Sequence, residues 1–424
     1  MAHPIHHLPV VQNWDCHATG TCCRQGYLVS LTEEERKRIE SQAWDRDGDL
    51  GGRAPFRKYG PFWGRRWGLG QRSDGACVFL ADNGRCRIHE RFGYDAKPLA
   101  CRLFPFVLIP VASEWRVGLR YACPSAAANL GRALPEHDAA LAAFADELAR
   151  QVGLTPLPEG SLIRPPRVEG APRIEWPDVM RIVNLILDML RFRTDPLERR
   201  LRKCLALADE MRGTDLRHVR DGQLEELLKV LRRNADASTP PNLMTLPPPG
   251  WIGRMLFRQS AALFTRKDNG PNCGPDGRSA LDRMSAAYRF ARGTGRVPRL
   301  HVKMPEATFE DAERPRGPVP MEAEAVLERY YQVKVGSLQF CGAASFGLPF
   351  WEGFEALALT FPLALWVART MADRPRDEAI ATALTIVDDH IGFNRVLGSA
   401  RQRLSVHILA RRGELARLIG WYSR

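Results

Sequence analysis

From about residue 137 to its last residue, the chain repeats apolar positions every three to four residues. This is the period of helices that bury one face. The pattern predicts helices over 137–152, 178–191, 196–212, 224–233, 279–292, 321–334, 353–373, 376–397 and 400–421. Asp195 stands where the helix over 196–212 needs a cap, and Gly213 where it must stop. The Pro-rich stretch 155–177, the Pro run 247–249 and the Gly/Asn/Pro-rich stretch 268–278 read as connectors.

Before residue 129 the pattern differs. A short helix is expected over Leu31–Ala43, where Thr32 and Glu35 have capping-box spacing. Residues 45–74 are Gly-rich, aromatic and basic without a helical period, and read as a long loop or insertion. Asn83-Gly84 is a two-residue hairpin signal between Cys77 and Cys86, and Trp115–Ala122 alternates like a short strand. The expected class is mainly α: a loop-rich cysteine-cluster module with a short hairpin (1–128), fused to a mostly helical body (129–424). That body has candidate subdivisions near 155–177 and 240–278.

Composition narrows the reading. Apolar residues make up 45% and charged residues 26%, which is globular composition. The longest apolar run, Ala356–Ala368, is shorter than the ~20 residues of a membrane span and contains Pro362, so a buried helix is expected. The net charge of +12 comes mostly from scattered Arg and does not by itself indicate nucleic acid. No secretory pattern opens the chain, so a cytoplasmic location, where grouped cysteines bind metal more often than they pair, is expected.

Seven of the 10 cysteines fall before residue 124: Cys16, Cys22, Cys23, Cys77, Cys86, Cys101 and Cys123. Thiolates are strong ligands for zinc and for iron–sulfur clusters, and both need about four donors at one point. Gly20 lets the chain turn before Cys22, and a hairpin at Asn83-Gly84 would bring Cys77 and Cys86 to one end of paired strands. His17 and His89 could add nitrogen. There is no CxxC pair and no ferredoxin-type run, so spacing alone leaves zinc and iron–sulfur both open.

The combined motif resembles the YkgJ-like cysteine-cluster family, a family of zinc- or iron-chelating domains. The resemblance rests on Cys16, Gly20-Thr-Cys22-Cys23-Arg24, Thr32-Glu-Glu-Glu35, Cys77-Val-Phe79-Leu80, Gly84-Arg-Cys86-Arg-Ile88 and Pro98-Leu-Ala-Cys101-Arg102-Leu-Phe104-Pro105. That family includes flagellin lysine N-methylase. The resemblance implies an iron–sulfur cluster (4Fe–4S in its leading form) and S-adenosylmethionine as a methyl donor. It covers a quarter to a third of the chain, and the insertions at 45–74 and at Phe92–Ala96 depart from it.

Other features are weaker. Gly68-Leu-Gly70 lacks the third Gly of a dinucleotide loop, and Glu-x-x-His is absent. Asp388-Asp389-His390 reads as solvated surface, Glu355 as a water-contacting helix end, and His407 as a packed or surface residue. Arg24 and Arg102 adjoin cluster cysteines and are expected to offset thiolate charge from behind the ligands. Arg57, Trp63 and Trp67 belong to a cationic–aromatic stretch suited to a partner or protein substrate. Two classes of function follow: an iron–sulfur protein, in its enzymatic form a protein lysine N-methylase, or a non-catalytic zinc-binding or metal-chelating protein. Catalytic residues and oligomeric state are not legible.

Overall fold

In the computed structural model the described residues are 5–6, 12–44, 48–151, 164–171, 174–268 and 270–424. The helical period is realised through most of the second part. Trp176–Arg191, Leu197–Gly213, Asp221–Ser238, Ala280–Arg292 and Met321–Gly336 all fall where the pattern places them. Around them runs Phe350–Arg369, with 18 of its 20 residues buried. Among the described residues it is the one helix apolar and long enough to cross a membrane. Its burial makes it the core helix that the apolar run predicts.

The structure corrects several expectations. Trp251–Thr265 is a helix that the period did not reveal, because its apolar residues are interrupted by Gly253, Arg254 and Arg258. The single helix expected over 400–421 is two, Ala400–Arg411 and Glu414–Tyr422, parted by Gly413 in the left-handed region (φ +67°). The helix expected over 376–397 ends at Asp388. Asp195 does not cap its helix; it faces Lys203 at 2.6 Å and also pairs with Arg199. Glu355 is only 2% exposed, well inside its helix rather than at a wet end, and pairs with Arg212.

The first part carries two small sheets, and a third pairs its Asn13–Trp14 with Arg132–Ala133. Phe106–Val111 and Glu114–Leu119 form an antiparallel hairpin, joined in parallel by Ile5–His6. The segment read as a loop is largely a second hairpin. Phe56–Tyr59 pairs with Arg66–Leu69, which also pairs with Ser30–Leu31. Residues 45–47 of that segment, and 152–163 with 172–173 of the Pro-rich connector, lie outside the described residues. Trp67 shows why: its partners are cations, with Lys58 Nζ 4.7 Å and the Arg36 guanidinium 5.2 Å from the indole centroid, rather than apolar residues at period two.

Two hydrophobic cores result. The larger joins the helices to the 106–119 hairpin and to Cys123. The smaller is built from Ile39, Trp44, Leu50, Leu69, Val78, Phe79 and Ile88, with Cys77, Cys86 and Cys101 packed against it.

Buried ions join the two parts of the chain. Asp388 Oδ1 lies 2.6 Å from Lys334 Nζ, and its Oδ2 accepts the backbone N–H groups of Tyr121 and Ala122. Asp389 pairs with Arg120 at 3.1 Å, and with Lys267 and the Tyr27 hydroxyl. Asp388, Asp389 and His390 are therefore buried, not solvated surface. They end a helix whose last turn points into the molecule, where each carboxylate finds cations supplied from distant sequence.

Two outcomes follow. Asp388→Ala leaves Lys334 buried without its counter-charge and is expected to cost ~3–5 kcal/mol in urea unfolding; a cost near zero would show that the pair does not hold the halves together. Burial pushes the Glu355 carboxyl up to about 7 although Arg212 pulls it down. The folded state then keeps a proton that the unfolded chain has lost, so stability falls as pH rises through that range. Glu355→Gln should therefore cost less at pH 8 than at pH 5, by on the order of 1–3 kcal/mol; equal costs at both pH values would contradict this.

Candidate metal centre

Four separate segments bring the cysteines together. Gly20, at φ +67°, opens the turn Thr21–Arg24, and both Cys23 and Arg24 donate their N–H to Gly20 O. A Cβ on Gly20 would stand 2.5 Å from Gly84 O. The glycine is thus what lets the Cys22–Cys23 turn lie directly on the Asn83–Gly84 turn. The Cys77 N–H donates to Cys23 O at 3.0 Å, fixing the second segment to the first.

The expected pairing of Cys77 with Cys86 is not formed. Cys77 bridges Gln71, and Cys86 bridges Leu80. The turn at Gly84 is present, with Gly84 N–H donating to Ala81 O, but it is too short to set the two cysteines opposite each other. Cys101 lies in the short helix Leu99–Leu103. That helix is held by Glu35, whose carboxylate accepts both the Thr32 N–H of the capping box and the Leu99 N–H at 2.6 Å. Cys123 starts the turn Pro124–Ala127.

Cys16, Cys22, Cys23, Cys86, Cys101 and Cys123 line one cavity of about 500 Å³. Cys77 lies behind it, with its thiol against that of Cys23. His17, His89, Glu90, Tyr94 and Lys97 complete the polar wall. Cys16 and Cys22 are exposed, so one side is open to solvent. Among the described residues, no group of three or more His, Cys, Asp and Glu side chains is already arranged as a ready-made site for one metal ion. Cys204 and Cys341 are buried elsewhere, within the helical core.

The thiols share protons unequally. A hydrogen bond from Cys23 lowers Cys22 to about 7, with help from Lys97. The same donor lowers Cys86 to about 6, again with help from Lys97. Cys23 is pushed well up by its hydrogen-bonding contacts with Cys22, Cys77 and Cys86, to any one of which its single S–H can donate. Burial pushes Cys101 up. Such a set is already part thiolate near neutral pH, as a metal requires of its ligands. Burial and Lys97 hold His89 down, so its ring is neutral and able to act as a ligand.

Lys97 is the residue that the sequence reading passed over. It is 7% exposed, reaches over the Tyr94 ring at 4.8 Å, and is the cation beside the thiols. Its position directly before Pro98-Leu-Ala-Cys101 was the available signal. Arg102 faces away: Nη2 pairs with Glu147 at 2.7 Å and Nε donates to Lys97 O. Arg24 is exposed, with its guanidinium above Gly84 at the cavity rim. Of the cationic–aromatic stretch, Trp63 is 78% exposed at the hairpin tip beside Phe62, Arg57 is exposed on a strand, and Trp67 is packed under Lys58 and Arg36.

Residues 15–124 match the family described as "Putative zinc- or iron-chelating domain". The matched segment contains all seven gathered cysteines and Lys97. No curated protein and no solved structure matches the chain. The chain thus carries a cysteine-cluster domain of the zinc- or iron-chelating kind.

If these thiols hold the metal together, Cys22→Ser, Cys77→Ser and Cys101→Ser should each lower metal content, while Cys204→Ser should not. Gly20→Ala should lower it without removing any sulfur, because the added Cβ drives Gly84 away. Metal analysis of the purified variants reads both; equal loss in all the cysteine variants, or full metal in Gly20→Ala, would count against this grouping.

Proposed function

We propose that the cavity holds an iron–sulfur cluster, and that the helical body offers a protein substrate to the open side of that cluster. The observation that carries this reading is the shape of the cysteine wall. Six thiols line a space of about 500 Å³ and a seventh, Cys77, lies against Cys23, more sulfur than the four donors that one zinc takes. A polynuclear centre makes use of a sulfur-lined space of this size, whereas a lone zinc with ligands at ~2.3 Å needs only four of the sulfurs.

The donor chemistry fits. The wall is sulfur-rich, with one carboxylate, Glu90, and one buried cation, Lys97, to offset thiolate charge. Cys22, Cys23, Cys77 and Cys86 are the ligands in closest mutual contact, with Cys101 beside them. Cys16 and Cys123 stand at the edge of the set. A bound cluster would supply electron transfer or an open iron able to chelate a small molecule. The chain's own residues do the rest: Lys97 balances charge, Cys23 holds its proton in hydrogen-bonding contact with its neighbours, and the exposed side admits the substrate.

The finer reading is S-adenosylmethionine-dependent N-methylation of a protein lysine, in the cytoplasm. It is supported by the resemblance of the cysteine motifs and by the exposed Phe62–Trp63 tip, flanked by Arg57, Arg65 and Arg66, as a surface for an acidic protein segment.

Protein purified without oxygen should be brown, absorb near ~400 nm, and contain iron and acid-labile sulfide together. Colourless protein with stoichiometric zinc would overturn the cluster and favour a structural zinc site.

A further inference from the structure

Residues 50–73 hold Arg53, Arg57, Lys58, Arg65, Arg66 and Arg72 and no Asp or Glu. Four of these cations flank the tip of the hairpin Phe56–Tyr59/Arg66–Leu69. Arg57, Arg65 and Arg66 are exposed, and among the described residues their side chains have neither an ion pair nor a hydrogen bond. Nearer the root, Lys58 and Arg36 cover Trp67, and Arg36 is already paired with Glu33 and Glu40. The positive charge around the tip is left unanswered within the chain.

Two aromatic rings crown this charge. Phe62 is 79% and Trp63 78% exposed, and their rings pack edge-on at 5.0 Å. The turn that carries them is closed by the Gly64 N–H, which donates to Pro61 O at 3.0 Å. Leaving such rings in water forgoes ~1.5–3 kcal/mol each of burial. A rigid aromatic pair inside a cationic rim has the composition of an interface.

The tip is also set apart from the cysteine cavity. The hairpin's root is fixed beside it: Gln71 bridges Cys77, and the Val78 N–H donates to Gly70 O at 3.1 Å. From that root the ladder runs from the Leu69–Phe56 pair to the Arg66–Tyr59 pair and then to the tip. At ~3.3 Å per residue, the aromatic pair stands on the order of 20 Å from Cys77. No residue from 56 to 69 lines the cavity. A small molecule cannot touch both places, whereas a protein segment can.

We propose that the hairpin is a docking arm, distinct from the cavity, for an acidic protein segment that carries apolar side chains between its carboxylates. This deepens the reading that the cavity receives a protein substrate, and rests on it. Arg57, Arg65 and Arg66 take the partner's carboxylates, and Phe62 and Trp63 take its apolar side chains. About six further residues of the partner, extended, span the gap to the cysteines.

Fluorescence anisotropy of the full-length, metal-containing protein with a labelled peptide of Phe set among Glu and Gly tests the arm. Saturable binding is expected, weaker by about tenfold or more when the Glu are replaced by Gln or the Phe by Ser. It should also weaken as salt rises. Phe62→Ser with Trp63→Ser, and separately Arg65→Glu with Arg66→Glu, should each weaken it about tenfold while metal content and melting temperature stay unchanged. No saturable binding, equal binding of the Gln peptide, or undiminished binding by either double variant would each overturn the assignment. Binding to phosphatidylserine vesicles that the same variants abolish would overturn it too, and give the tip to a membrane surface. The two readings fail separately. Brown, iron-containing protein that ignores the peptide loses the arm and keeps the cluster; colourless protein that binds it does the reverse.

Discussion

Gathering sulfur in one place is limited by charge: thiolates that face a common space repel one another. The cysteine cavity meets this limit in two ways. Lys97 places a nearly buried cation against the thiols. Cys23 keeps its proton and stands in hydrogen-bonding contact with Cys22 and Cys86, which eases the ionisation of those two thiols. A metal centre would replace that proton with stronger positive charge, and the arrangement is poised for that exchange.

The same constraint governs the scaffold. Glu35 ties the helix Glu33–Glu40 to the Cys101 segment, and Gly20 lets two turns touch where a side chain would separate them. Further out, Asp388 and Asp389 collect Lys334, Arg120, Lys267 and Tyr27 from far apart in the chain. Arg120 is stacked between Phe393, at 3.8 Å, and Tyr27, at 4.7 Å, and it immediately precedes the Tyr121–Cys123 segment. The cysteine-bearing region is thus anchored to the helical body through buried ions as well as through apolar packing. Removing one partner of such a pair exposes the full desolvation cost of the other.

Much of this was legible in the residues. Helices with one apolar face announced themselves by period, and the Thr32–Glu35 box formed as its spacing required. The cysteine motif located the site because its glycines and prolines lie beside the thiols they position. What escaped has physical causes. The hairpin Phe56–Tyr59/Arg66–Leu69 covers its aromatic rings with cations rather than apolar residues, so no alternation was visible. Asp388-Asp389-His390 looked like surface because a charged triplet reveals nothing of partners 50 to 360 residues away; Lys334, Lys267 and Tyr27 appear only once the chain folds. Lys97 was hidden for the same reason, since its role is defined by the thiols that folding brings beside it.

The central claim is that the amino-terminal thiols surround one polynuclear inorganic centre. X-ray absorption at the metal edge of anaerobically purified protein tests it most directly. The account predicts an iron edge with a sulfur shell near ~2.3 Å and a second shell from neighbouring iron atoms. A zinc edge with a single sulfur shell and no metal–metal scattering would contradict it.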